Sequence, residues 1–265
     1  MNGAVVEGAV SSSRHGDVAT ITIGDGTRLN ALGTADWRAL ERTALAVAGD
    51  LAVGSVVVEG RGGAFCSGSD LREWDASTPA EVDAGFEQME RALAAVEAIP
   101  VPTVARIERV AAGAGCQLAL ACDLQVIEAT ARIGMPVTRL GILIPTSFAT
   151  RLALRVGPSR AKAMLFDGAL FPAGEARAMG LVTDVVEPGD ASRRLTELQS
   201  AWSGMSPHAL RHAKRAVDLA VGATATETTA REAGGTGQAD RPNRSTAADF
   251  AGRVQGFLSS RRRSA

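Results

Sequence analysis

Tyrosine is absent from this 265-residue sequence, and histidine and cysteine occur three times each, so few side chains are available for acid–base or metal chemistry. There is no C-x-x-C pair and no Cys/His ligand spacing, and we therefore expect no bound metal. The cysteines stand among small and apolar residues, which predicts buried free thiols and a reducing, cytoplasmic location. They are Cys66, Cys116 and Cys122.

Long apolar runs are also missing, because no segment approaches the roughly 20 apolar residues that cross a bilayer. Residues 1–14 lack a basic stretch followed by an apolar one, so we expect no secretory signal. The formal net charge is −1, which gives no reason to expect a nucleic-acid or membrane partner. The basic run Arg261–Arg263 is either a solvated tail or a contact with a phosphate-bearing ligand.

The residues that are present give an ordinary globular balance, with 46% hydrophobic and 22% charged residues. Strand, turn and helix patterns alternate through the first 130 residues, which predicts an α/β fold with mostly parallel pairing. Beyond Arg151 the pattern becomes helical, with one helix from Pro207 to about Val221. We interpret Gly222–Thr246 as a mobile connection or weak helix, followed by a short helix over Asp249–Leu258. The predicted strands are 18–23, 54–59, 103–107, 124–128 and 182–186, and the predicted earlier helices are about 34–49, 78–99 and 113–121.

Two turns built from small residues are the most informative feature of the chain. Gly63–Leu71 follows the apolar run Ser55–Val58, and Ala112–Asp123 comes about forty residues later. Small residues let backbone N–H groups approach a ligand closely. Two such groups aimed at one point can hold a thioester oxygen as it gains negative charge.

This paired arrangement resembles the crotonase superfamily, also called the enoyl-CoA hydratase/isomerase family. The resemblance implies a spiral of β-β-α turns, with a core over residues 1–200 that contains an oxyanion hole. It also implies a helical C-terminal region over residues 201–265 that mediates oligomerisation, as a homotrimer or a dimer of trimers, and covers coenzyme A. Six segments follow the family order: 28–32, 65–71, 113–123, 133–142, 151–182 and 250–261.

The same resemblance implies the site residues. The oxyanion donors are the backbone N–H groups of Ser69 and Ala114, the second at a helix N-terminus where the helix dipole helps. Coenzyme A is expected as part of an acyl-CoA substrate, with no separate cofactor, and Arg28 lies where the family often places a basic contact to the nucleotide. The residues expected to contact coenzyme A are Arg28, Ala31, Ser67, Gly68, Asp70, Leu71, Phe257 and Arg261.

The catalytic positions depart from the family pattern. The two positions that carry glutamates in typical hydratases are Gln117 and Val137 here, and the acid position of some isomerases is Pro145. Gln cannot exchange a proton at neutral pH, and losing one general acid or base removes about 10²–10⁴ in rate. We expect Gln117 beside the two N–H groups and Val137 opposite it. Glu73 is the first substitute acid to consider, and Thr138, Thr146 and Ser147 are hydroxyl candidates.

Two classes of function follow from this pattern. The first is an acyl-CoA enzyme of the enoyl-CoA hydratase/isomerase type, or a decarboxylase or thioester hydrolase of the same fold. The last two reactions depend less than hydration does on the two missing acids. The second is a non-catalytic acyl-CoA-binding relic. If Gln117 and Val137 both face the substrate, changing both to Glu is expected to raise the hydration of crotonyl-CoA.

Overall fold

The computed structural model describes residues 5–75, 77–233 and 248–262, and it has the α/β architecture that the alternating pattern predicts. The strands are β1 (Val5–Glu7), β2 (Val10–His15), β3 (Val18–Ile23), β4 (Ser55–Gly60), β5 (Thr103–Ile107), β6 (Val110–Ala112), β7 (Leu124–Glu128), β8 (Arg132–Gly134), β9 (Leu170–Pro172) and β10 (Asp184–Val186). The helices are α1 (Thr34–Gly49), α2 (Leu71–Trp74), α3 (Pro79–Glu97), α4 (Ala114–Ala121), α5 (Thr146–Val156), α6 (Pro158–Asp167), α7 (Ala173–Ala178), α8 (Ala191–Ser203), α9 (Pro207–Ala233) and α10 (Ala248–Arg262). A short 3₁₀ helix spans Thr138–Leu140.

Seven strands form the main sheet in the order β1-β2-β3-β4-β5-β7-β10. The pairs β1–β2 and β2–β3 are antiparallel, and every pair from β3 to β10 is parallel. The first four residues of β4, Ser55–Val58, are all buried, as expected for a parallel strand covered on both faces. Strands β6, β8 and β9 form a second sheet. Because β6 ends at Ala112, immediately before α4, this sheet positions the second small-residue turn next to the first.

Helices α1 and α3 pack against each other over the main sheet, and both begin as capped helices. Thr78 caps α3 with Glu81 three residues later, as its sequence predicts. The cap residue of α1 is Gly33, directly before the predicted start of the helix. Asp36 Oδ2 accepts the N–H of Gly33 at 3.0 Å, so its carboxylate lies inside the first turn.

The C-terminal region is helical, as predicted, but α9 is longer than its pattern suggests. It continues from Pro207 to Ala233, past the expected end near Val221, and residues 234–247 lie outside the described residues. The Lys214 ammonium anchors α9 through the Asp123 carboxylate at 2.9 Å. The α9 positions expected to form a packed face, Ala209, Ala213, Ala216 and Val217, are exposed in the single chain. Assembly through them, like the division at residue 200, stays a prediction.

Helix α10 returns to the core and packs against α2 and the 3₁₀ helix. Its Val254 side chain is fully buried, and Leu258 packs on the main hydrophobic cluster. Within the described part of the chain, no helix is long and apolar enough to cross a membrane.

Candidate active site

The two small-residue turns meet through parallel bridges between short backbone segments. Cys66 pairs with Ala111, with the Cys66 N–H donating to Val110 O and the Ala112 N–H donating to Cys66 O, both at 3.0 Å. A Cβ on Gly115 would lie 2.2 Å from the Cys66 carbonyl oxygen. Only glycine therefore lets the first turn of α4 pack directly on the Cys66 backbone.

The Ser69 N–H points away from the segment that Ser69 pairs with. In the bridge between Leu32 and Ser69, the flanking residues make the bonds: Leu32 N–H donates to Gly68 O and Asp70 N–H donates to Leu32 O, both at 2.9 Å. Gly68, at φ 104°, has its Cβ position 3.4 Å from the Ala114 nitrogen. The Ser69 N–H is therefore directed to the other side, close to the N-terminus of α4.

Gly113 turns the chain into α4 with a φ of 56° and a ψ of −120°, a backbone conformation suited to glycine. Its N–H donates to Gly134 O at 2.9 Å, which leaves the following N–H, on Ala114, at the free first position of the helix. Among the described residues, the N–H groups of Ser69 and Ala114 donate to no protein acceptor. Val137 lies across from them, with Cγ1 3.9 Å from the Gly113 Cβ position.

A cavity of about 1340 Å³ opens in front of these N–H groups and is lined by Ser69, Ala114 and Val137. Its apolar side chains come mainly from α2, α3, the 136–144 segment and α5, namely Leu71, Trp74, Phe86, Met89, Val137, Leu140, Ile142, Ile144 and Phe148. Its charged side chains are Arg28, Asp70, Arg72, Asp75, Arg132, Arg139 and Arg253. Five guanidinium groups against two carboxylates make the charged part of the lining positive.

A strained backbone segment carries Arg28 in the cavity lining. Arg28, Leu29 and Asn30 are consecutive left-handed residues, with φ of 48°, 54° and 55°, and none of them is glycine. The buried Asn30 amide offsets the strain, because its Nδ2 donates to two backbone carbonyls at 2.7 and 2.8 Å. Ser67 binds the same segment through its N–H to Leu29 O at 2.9 Å and its Oγ to Arg28 O at 3.0 Å. The Arg28 guanidinium thereby lies 3.3 Å from the Asp70 carboxylate.

Gln117 is not in the cavity lining, in contrast to the expectation from the sequence. It is fully buried, and its Nε2 donates to Phe148 O at 3.3 Å and to Met135 Sδ at 3.5 Å. Its Oε1 accepts from Arg151 Nη1 at 2.9 Å. Arg151 in turn binds both carboxylate oxygens of Glu97, at 2.6 and 3.2 Å. The Gln117 amide therefore lies within a polar network outside the cavity lining. Its neighbour Phe148, in contrast, is part of that lining.

Glu73 is also directed elsewhere. Its Oε2 accepts from the N–H of Thr34 at 2.8 Å and from the Thr34 hydroxyl at 3.0 Å, so it satisfies the N-terminus of α1. The hydroxyl candidates Thr138, Thr146 and Ser147 are likewise absent from the lining. Sequence reasoning missed Asp75, a lining carboxylate that makes no hydrogen bond or ion pair within the described chain. It follows a single turn of helix, which has no periodicity that could have indicated its direction.

Most residues expected to contact coenzyme A line one cavity. They are Arg28, Ala31, Ser67, Asp70, Leu71 and Phe257. Gly68 is buried behind the lining, where its Cβ position is 2.8 Å from the Ala112 carbonyl oxygen. The Arg261 side chain lies outside the described residues. Arg132 and Arg139 belong to no motif that would have indicated them, and their guanidinium groups donate to the backbone carbonyls of Leu170 and Asp167.

The three cysteines are free and buried, which confirms the sequence prediction. Burial raises the pKa of each thiol to about 12, so all three are neutral at physiological pH. None of them lines the cavity. They therefore serve packing around the two turns, as small apolar groups.

The chain is similar to proteins and structures of one known family. The family described as enoyl-CoA hydratase/isomerase matches residues 13–246. A Bacillus subtilis protein named as an enoyl-CoA hydratase/isomerase is 34% identical over 212 residues, 77% of this chain and 82% of that protein. An Arabidopsis thaliana protein named as mitochondrial enoyl-CoA hydratase 2 is 36% identical over 156 residues, 59% of this chain, and the match spans about half, 52%, of that relative. The structure of an enoyl-CoA hydratase/isomerase from Xanthobacter autotrophicus superimposes with a TM-score of 0.79 at 26% identity, covering 97% of this chain and 94% of that one.

Proposed function

This chain belongs to the enoyl-CoA hydratase/isomerase family and has its crotonase-like fold, and on that premise we propose that it acts on acyl-CoA thioesters by stabilising an enolate. The observation that supports this most directly is the pair of N–H groups on Ser69 and Ala114. Both residues line the same cavity, and neither N–H donates to a protein acceptor in the described chain. In this proposal they form the oxyanion hole.

The proposed step begins with the thioester carbonyl oxygen accepting hydrogen bonds from both N–H groups. When a base takes a proton from the α-carbon, or the α-carboxylate leaves as CO₂, the electron pair of the broken bond moves toward that oxygen, and the two donors bind the resulting enolate more strongly than the starting carbonyl. Ala114 adds the positive end of the α4 dipole. Removing one such donor typically costs about 10²–10³ in rate, or about 2.7–4 kcal/mol. The apolar lining strengthens the effect because it lowers the local dielectric constant.

The charged lining supports binding of the coenzyme A moiety. Its five arginines suit phosphate oxygens, because a guanidinium presents several N–H donors in a planar fork. Arg28 is positioned by the left-handed backbone segment 28–30 and by its ion pair with Asp70. We propose Arg28 as a phosphate contact, with Phe257 of α10 packing on the same ligand. The cytoplasmic location and the trimeric assembly remain predictions, and light scattering tests the second.

The acid–base groups indicate which reactions are favoured. Gln117 and Val137 cannot transfer a proton, and Asp70 is engaged by Arg28 and by the Arg72 N–H at 3.2 Å. Asp75 is then the lining carboxylate available to carry a proton. One lining carboxylate cannot replace the two glutamates of typical hydratases, so hydration of crotonyl-CoA should be weak. Decarboxylation or hydrolysis of a thioester is the second candidate, favoured by the non-ionisable side chains at the two usual glutamate positions.

A substrate panel tests the proposal. Crotonyl-CoA, a 3-enoyl-CoA and a malonyl-type CoA are assayed for turnover beside a calorimetric binding titration with each thioester. Turnover of any one of them supports the enzyme, and tight binding without turnover of any would instead select the acyl-CoA-binding relic. If none of the thioesters binds and none is turned over, the proposal is refuted.

A proline variant tests the oxyanion donor directly. Ala114→Pro removes one N–H at the first position of a helix, where proline is accepted. Thr146→Pro is the matched control, because Thr146 is the exposed first residue of α5 and does not line the cavity. Once circular dichroism shows both variants folded, turnover should fall about 10²–10³-fold in the first and stay near wild type in the second. An equal rate in both would remove Ala114 from the mechanism.

A further inference from the structure

We infer that Phe148 is the end wall of the acyl pocket, that Gln117 is the positioning residue that holds it there, and that the site therefore limits the length of the acyl chain and favours an apolar far end. The inference rests on the proposed function, since it assigns the acyl group of the same thioester. It also gives Gln117 a role different from proton transfer.

The wall is a set of three aromatic rings in contact. Phe148 is 2% exposed, and its ring meets Phe86 edge-on with centroids 6.3 Å apart. Phe86 meets Trp74 at 5.3 Å. All three side chains line the cavity. Because aromatic rings are rigid and large, their mutual contact fixes a surface that an acyl chain can touch but cannot penetrate.

A buried polar network stands beside the Phe148 ring and prevents it from withdrawing. The Arg151 guanidinium carbon is 6.0 Å from the ring centroid, and the Arg151 side chain is only 10% exposed. Its ion pair with Glu97, at 2.6 Å between Nε and Oε1, fixes the guanidinium beside the ring. Movement of Phe148 toward Arg151 would displace a side chain that is itself 10% exposed and bound to both Gln117 and Glu97, which is unfavourable.

Gln117 ties this network to the backbone of the wall. Its amide donates to Phe148 O at 3.3 Å and accepts from Arg151 Nη1 at 2.9 Å, so one side chain connects the two residues. Phe148 lies in the first turn of α5, where its own N–H donates to Pro145 O at 3.1 Å. The carbonyl contact from Gln117 thus fixes the beginning of the helix that carries the ring.

The chemistry around the wall excludes a charged acyl end. The lining residues of α3 and α5 in the described chain are Phe86, Met89 and Phe148, all apolar. Arg139, on the neighbouring segment, directs its guanidinium to the Asp167 carbonyl at 3.1 Å. A carboxylate at the end of the acyl chain would be desolvated against the side chains of Phe86, Met89 and Phe148, which is costly.

Binding of saturated acyl-CoAs tests the wall independently of turnover. Dissociation constants of free coenzyme A and of butyryl-, hexanoyl-, octanoyl- and decanoyl-CoA are measured by calorimetry. In wild type, affinity should rise by up to about fourfold for each methylene that fits and then fall. In Phe148→Ala, the ratio of octanoyl-CoA to butyryl-CoA affinity should rise at least about tenfold. Phe148→Leu should give an intermediate affinity ratio, and it replaces the alanine variant in the test if that variant does not fold. Phe166→Ala, at a phenylalanine that is 81% exposed on α6, should leave the ratio unchanged.

Gln117→Leu tests the positioning role with a matched control. Gln88→Leu removes another buried glutamine, one that bonds Glu41 and Arg91 away from the cavity. Both changes should lower the melting temperature, but only Gln117→Leu should relax the chain-length ratio. Loss of stability with an unchanged ratio would overturn the role of Gln117. If acyl-CoAs bind and Phe148→Ala leaves the ratio unchanged, the wall is refuted alone. If no acyl-CoA binds better than coenzyme A to wild type, the proposed function fails and the inference fails with it.

Discussion

Carboxylates introduced at Gln117 and Val137 will show which of the two positions faces the reacting atoms. The sequence alone leads one to expect that both changes together restore hydration. In the structure, Val137 lines the cavity, whereas the Gln117 amide bonds Arg151 and Phe148. Val137→Glu should therefore raise hydration of crotonyl-CoA, and adding Gln117→Glu should change the rate by no more than about threefold. A second acid facing the substrate would add about 10²–10⁴.

The stability of the two variants provides a second measure of the same geometry. Gln117→Glu keeps the acceptor for Arg151, at 2.9 Å, but removes the donor to Phe148 O and places a carboxylate oxygen near that carbonyl. The Phe148 carbonyl keeps its intrahelical donor in α5, but losing the Gln117 hydrogen bond and bringing two acceptors together in a buried site costs about 1–3 kcal/mol. For a chain of this size the melting temperature should fall by about 2–4 °C for each kcal/mol lost. Val137→Glu places its carboxylate in the cavity instead, and it should leave the Phe148 contact intact.

The assay is the loss of enoyl-thioester absorbance with crotonyl-CoA for wild type, both single variants and the double variant. Val137→Gln, which has nearly the same shape as Glu without a titratable proton, is the control and should give no gain. A double variant that exceeds Val137→Glu by about a hundredfold or more would refute the reasoning, because it would require the position 117 side chain to face the substrate.

Three further predictions follow. Arg28→Ala should weaken coenzyme A binding in calorimetry by about 1–3 kcal/mol, or about 5–150-fold. Arg38→Ala, on the exposed face of α1, should leave it unchanged. Equal dissociation constants for wild type and Arg28→Ala would remove Arg28 from the site. Gly113→Ala forces a side chain into φ 56° and ψ −120° and should lower the free energy of unfolding by about 1–3 kcal/mol in urea, while an unchanged midpoint would show that the turn relaxes freely. Burial raises the pKa of the three cysteine thiols from 9.0 to about 12, so thiols of the unfolded chain ionise first as the pH rises. Their stabilising contribution is complete below pH 9.0 and is lost between pH 9.0 and about 12; urea midpoints on either side of pH 9.0, for wild type and a triple Cys→Ala variant, test this.

The two turns could be predicted from sequence because their small residues have a direct backbone consequence. Gly68, Gly113 and Gly115 each allow a contact or a torsion that a Cβ would obstruct. The direction of Gln117 could not be predicted in this way, because all eight residues of α4 are buried. A helix buried on every side has no polar face, so periodicity gives no information about which side chains reach the cavity.

Contacts between residues that are distant in the sequence explain the other differences between the predicted and the observed site. Glu73 bonds Thr34, 39 positions earlier, and this contact depends on how α2 meets α1 rather than on any local pattern. The same applies to Arg151, whose partners Glu97 and Gln117 lie on two other helices. The pattern predicts an end of α9 near Val221 because its Thr-, Ala- and Gly-rich continuation has weak periodicity, although the helix runs to Ala233.

The left-handed run at Arg28, Leu29 and Asn30 has a consequence for the coupling between folding and ligand binding. Left-handed conformations cost roughly 1–2 kcal/mol per non-glycine residue, so the isolated segment would not keep this shape. The arrangement of Arg28 then exists only in the folded chain, where Asn30 and Ser67 impose it. A phosphate-bearing ligand bound there acts on the folding equilibrium by mass action and should stabilise the protein by about 2.7 kcal/mol at a hundred times its dissociation constant. Mutation of Asn30, a core residue that never meets the ligand, should abolish that ligand-dependent gain together with the turn.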